Sequence, residues 1–220
     1  TEDTAIALSK WQFLLQPFQV DPIVSQKVFF DLATAYYCPG RFYHNLAHIQ
    51  QVLQIINGMR SHAQNPATLE FAAWFHDVIY NPKANDNEEK SAEYAAKILL
   101  NLGIPAKIIY TVNKLILTTK NHQASEQDID SQILLDADLS ILGASAADYG
   151  VYTQAIRQEY SWLSELEYRL GRKQVLQKFL ERERIYLTQP MFAALEIKAR
   201  QNIQAEIRSL SEGNLKKILE

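Results

Sequence analysis

His76 and Asp77 stand side by side within residues 69–80, a stretch apolar on nearly every face that reads as a helix through the protein interior. An ionised carboxylate alone in such surroundings is costly, and the usual remedies are a protonated acid, a paired cation or a metal ion. We read a metal ion here. Neighbours on a helix point about 100° apart, so both side chains reach an ion in the sector between them, provided other elements supply further ligands.

Of the five histidines, His44 and His48 fall one helical turn apart, on a common face if one helix carries both. Alone, such a pair is more often structural or accidental than ligating; beside a buried His-Asp pair that balance reverses. His62 lies in a polar loop and reads as solvated. Asp136 and Asp138 repeat the pattern of acids in an apolar setting, residues 133–142. On a helix they point in rather different directions, so one faces the metal and the other caps or hydrogen-bonds locally.

The elements that must position these groups read as helices. Seven glycines and seven prolines sit mostly one at a time between apolar periodic stretches, with no hairpin signal, no sustained period-two alternation and no internal repeat. The pattern predicts helices over residues 4–16; from Pro22, capped by Asp21, through Tyr36; from 41–45 to about Gly58; and from Pro66 through the His-Asp stretch. Asp86 to Glu89 has the form of a capping box for a helix reaching Leu100, and Pro105 opens another to about Lys120. Ser145 to Asp148 is a second capping box, and residues 171–186 and 190–210 read as two long amphipathic helices.

The chain of 220 residues, 47% hydrophobic and 21% charged, holds ample core-forming material for one domain. A net charge of −3 offers no excess of positive charge to a polyanion, so a nucleic-acid polymer is not an expected partner. Cys38 is the single cysteine, which excludes an intramolecular disulfide and suits a reducing compartment. With neither a signal peptide nor an apolar run of about 18 residues, the expected setting is cytoplasmic and away from membranes.

The order His48, His76-Asp77, Asp138 resembles the H…HD…D signature of the HD-domain superfamily of metal-dependent phosphohydrolases. Tyr43-His44-Asn45-Leu46-Ala47-His48 is similar to the YHNxxH motif of its cyclic-nucleotide phosphodiesterases, and Asp136-Ala137-Asp138-Leu139 to the ADxL ending of many HD hydrolases. With Arg41-Phe42, Asn87-Glu88, Ser91-Ala92, residues 157–160 and Gly171-Arg172, the sequence resembles a small bacterial-type branch of predicted HD phosphohydrolases over roughly residues 10–205. The resemblance implies an all-α, single-domain helical bundle over residues 1–220. Its metal-site core would span about 22–160, and the long helices of about 171–212 would pack on it.

It further implies that His48, His76, Asp77 and Asp138 bind one divalent metal, with Mn, Fe, Mg, Ni and Zn all compatible. Metal-bound hydroxide would attack the phosphoester of a small molecule, possibly a nucleotide, with Asp77 as ligand and proton acceptor and His44 as general acid. Arg41, Lys83, Lys120, His122, Arg157 and Arg172 are the candidates for binding the phosphate, Arg41, Lys120 and His122 foremost, and Glu88 is placed to orient a water or a ligand. No second histidine follows the His76-Asp77 pair closely, which weakens a two-metal scheme, and the glutamine-containing nucleotide pocket of the cyclic-nucleotide enzymes has no counterpart. The alternative function is a metal-stabilised module that binds or senses a nucleotide without turning it over.

Overall fold

A computed structural model describes residues 1–218, those from 213 onward as backbone only. It is all-α: among the described residues there is no strand. Among the described residues the ten α-helices are α1 (Glu2–Leu15), α2 (Pro22–Tyr36), α3 (Leu46–Gly58), α4 (Pro66–Phe75), α5 (Asn87–Asn101), α6 (Ala106–Thr118), α7 (Ile129–Asp138), α8 (Ala146–Glu159), α9 (Glu165–Glu181) and α10 (Gln189–Ile218), joined by short 3-10 turns and loops. Among the described residues, no helix is long and apolar enough to cross a membrane. The chain forms two compact units, Thr1–Ala137 and Asp138–Glu220, and the division falls at the last residue of α7.

In the first unit, local chemistry sets the helix starts. Asp21 accepts from the backbone of Ile23 and Val24 at 2.8 and 3.2 Å ahead of Pro22, so α2 begins where the cap and the proline say it should. The start of α4 is held from far away: both oxygens of buried Asp130, on α7, accept from the amides of Gln64 and Asn65 at 2.8 and 2.9 Å. α1 packs on α2, α3 on α4, and α6 on both α4 and α5. The core gathers around Trp11, which meets Phe71, Trp74 and Phe75 edge-on at 5.5 to 6.2 Å and donates from its indole to Ser25 O at 3.0 Å.

The second unit is organised by α10. Asn202 donates to the carbonyls of Leu142 and Ala144, both at 2.9 Å, and the Tyr186 hydroxyl donates to Leu139 O at 2.9 Å. The 3-10 turn Ser140–Gly143, which follows Asp138, is thereby anchored to the long helix. Gly143 lets the two approach: a Cβ there would stand 2.7 Å from the Leu195 Cβ. Buried Glu196 accepts from the amides of Ile185 and Tyr186 and from Arg200, fixing the turn that leads into α10.

Among the expected elements, three in the first unit differ from those observed. The central helix ends at Phe75, so His76 and Asp77 lie in the turn after it and not on its surface. Nonlocal partners there take up main-chain groups: Arg41 the carbonyls of Asp77 and Val78, Ser91 the main chain of Ile79. α3 begins at Leu46, leaving His44 ahead of the helix. Finally, Asp86 precedes α5 without a side-chain cap, since Asp86 pairs with Lys90 and Glu89 with Lys120.

Candidate metal centre

Asn45 caps α3 by accepting from Ala47 and His48 at 3.1 and 3.3 Å, which fixes His48 in the first turn with its side chain buried. His76 closes α4 as its C-cap residue, its amide bonded to Ala72 O. Its Nδ1 stands 2.9 Å from Ala73 O. A carbonyl only accepts, so Nδ1 carries the proton and Nε2 presents a lone pair, the tautomer a metal-binding imidazole needs.

Asp77 follows in the turn, with Oδ2 3.1 Å from His76 Nε2 and 3.3 Å from His48 Nε2. Neither approach is aligned as a hydrogen bond, and Oδ2 is sealed from solvent. Burial opposes the charge on Asp77, yet the positive charge that His76, His48 and His44 carry when protonated outweighs it and holds the carboxyl well below its usual range; a bound cation would take the place of those protons. The charge acts on its surroundings in turn: burial first, and Asp77 second, push the Tyr36 phenol well above its normal value. That phenol donates to Trp74 O at 2.7 Å, supporting the helix end from below.

Asp138, the last residue of α7, completes the set. One ligand atom from each of His48, His76, Asp77 and Asp138 lies within 4.8 Å of the others. Bonds of about 2.1 Å to one ion place cis and trans ligands about 3 to 4 Å apart, close to this spacing. Two imidazoles and two carboxylates are borderline-to-hard donors and fit a divalent first-row ion or Mg. The group can therefore hold a metal ion. Asp136, its neighbour on α7, is fully buried and stands outside the set.

The other residues singled out from the sequence occupy varied settings. The His44 ring lies 5.9 Å from that of His48 and stacks on Tyr80 at 4.3 Å. Arg41, expected at the phosphate, directs its guanidinium to the carbonyls of His44, Asp77 and Val78. Lys120 is joined to Glu89 and donates to Asn85 O at 2.8 Å. His122 lies just past α6 with φ of 49°, its amide bonded to Thr118 O. Glu88 is in the first turn of α5. Lys83 is exposed in the loop before α5.

In the second unit, Arg157 donates to Tyr160 O and Leu163 O, and Arg172 grips Glu206 with two nitrogens at 2.8 and 3.1 Å. Both arginines are thus committed to structure as they stand. Residue type alone gives no sign of the parts played by Tyr80, Tyr36 and Ser91, each of which holds the turn or the His44 loop. For Ser91 and Asn87, only the three-dimensional arrangement shows what they hold. Asn87 pairs both amide atoms with the main chain of Asn81 at 2.9 Å.

Compared with models of known protein families and with curated proteins, the sequence matches none.

Proposed function

We propose that this chain is a metal-dependent phosphohydrolase that cleaves a phosphoester of a small molecule, with nucleotides as the first class to try. The observation that carries the reading is the meeting of His48, His76, Asp77 and Asp138 within 4.8 Å. A divalent ion held by these four would supply Lewis-acid activation of water and neutralise charge on the phosphoryl oxygens. Asp77, whose Oδ2 lies 3.1 and 3.3 Å from His76 Nε2 and His48 Nε2, takes the proton from the attacking water. His44, beside His48 but outside the four, gives a proton to the leaving oxygen.

The test begins with elemental analysis of the purified protein. Phosphate release from nucleoside mono-, di- and triphosphates and from p-nitrophenyl phosphate is then measured with Mn, Fe, Ni, Mg or Zn. Under this reading at least one pairing turns over, Asp77→Ala loses both metal and turnover, and His44→Ala keeps the metal while turnover falls roughly a hundred-fold or more. Bound metal without turnover on any substrate would favour a binding or sensing module instead. No bound metal under any condition would remove both.

A further inference from the structure

We propose that Arg41 and Tyr80 are positioning residues that hold the His44 imidazole beside the His48–Asp77 pair. The inference rests on the hydrolase reading and deepens it. His44 precedes the cap of α3, so helical hydrogen bonding does not fix it. Aromatic rings pack against its face and its edge. Tyr80 lies against it at 4.3 Å and 26° from parallel, and Tyr43 meets it edge-on at 5.0 Å. On the other side of the arrangement the Arg41 guanidinium lies 5.6 Å from the Tyr80 ring and 5.3 Å from that of Tyr36.

One side chain also joins the two main-chain segments. Arg41 Nη1 donates to His44 O at 3.1 Å and to Asp77 O at 2.6 Å, and Nη2 donates to Val78 O at 2.7 Å. The planar fork thus sets the loop that carries the acid against the turn that carries the base, and Tyr80 sets the ring. The reaction needs both at once: the oxygen of water adds to phosphorus while Asp77 takes its proton, and the ester P–O bond breaks with its electron pair passing to the leaving oxygen. His44 delivers a proton to that oxygen.

A good leaving group departs without that proton, which separates positioning of the acid from general damage. In Tyr80→Leu, kcat on glycerol phosphate falls roughly ten-fold or more beyond its fall on p-nitrophenyl phosphate, while bound metal stays at the parental level. Tyr80→Phe, which keeps the stacked ring, retains the parental ratio between the two substrates. Arg41→Lys, which keeps the charge and loses the fork, moves the ratio as Tyr80→Leu does.

A second readout needs no turnover. The His44 Hε1 proton resonance, assigned by its loss in His44→Gln, carries the ring-current shift of Tyr80, moves in Tyr80→Leu and returns in Tyr80→Phe. Equal losses on both substrates, or a His44 resonance unmoved in Tyr80→Leu, would overturn the inference. Failure of the parent protein to hydrolyse these two esters and every nucleotide of the panel sinks the hydrolase reading itself; turnover with an unchanged ratio between poor and good leaving groups sinks this inference alone.

Discussion

Asp77 concentrates the cost of the site at one atom: Oδ2, out of solvent, faces two imidazole nitrogens at 3.1 and 3.3 Å. A cation that binds this arrangement and not the unfolded chain stabilises the fold by mass action, about 2.7 kcal/mol when its free concentration is a hundred times the dissociation constant. Chelation is therefore expected to lower the melting temperature by several degrees, as read by calorimetry. In Asp77→Asn, where affinity is lost, the chelator should have little left to remove. An unchanged melting temperature in the parent on chelation would contradict this. The same residue scale shows what the sequence could and could not display. Ligand types and order were visible in His48, His76-Asp77 and Asp138, but their convergence depends on a turn after Phe75 that Arg41 and Ser91 shape from elsewhere in the chain.

Among the helices, α9 offers the cleanest test of local chemistry. Ser164 and Glu167 form a reciprocal capping box, each side chain bonded to the other's main chain. Replacing Ser164 by Ala is expected to cost about 1 kcal/mol in urea unfolding. That box goes unread from the sequence, because the apolar pattern places the helix start at Gly171. The cause is a weak stripe, for only Tyr168 and Leu176 of α9 are buried.

α2 was readable almost to the residue because its cap and proline are local to it. The Asp86–Glu89 pattern misled because cap-forming side chains also pair with lysines, and Lys120 competes from beyond the end of another helix. Nothing local to Gly143 shows why a glycine is needed there. Its requirement comes from α10, and Gly143→Ala, forced against Leu195, is expected to destabilise by about 1 to 3 kcal/mol.

At the scale of the whole molecule, each unit has its own signature under stress. In the first, Trp11→Ala removes the centre of the aromatic cluster and should cost about 3 to 5 kcal/mol by denaturant titration. In the second, burial and then the charge of Glu206 hold the Tyr149 phenol protonated far above its ordinary pKa, and burial pushes Tyr168 up to about 12. Unfolded phenols ionise near pH 10, so the unfolded chain releases these protons first and stability falls as pH rises above about 10. Tyr149→Phe should flatten that alkaline limb.

The grip of Asp130 on Gln64 and Asn65 reaches past the order in which a ribosome would emit the chain. Those two amides stay without their acceptor until α7 has been synthesised, some 65 positions later in the polypeptide. A nascent chain halted before Ile129 should therefore leave the amides of Gln64 and Asn65 open to hydrogen exchange, and the beginning of α4 should settle only after release of that later stretch.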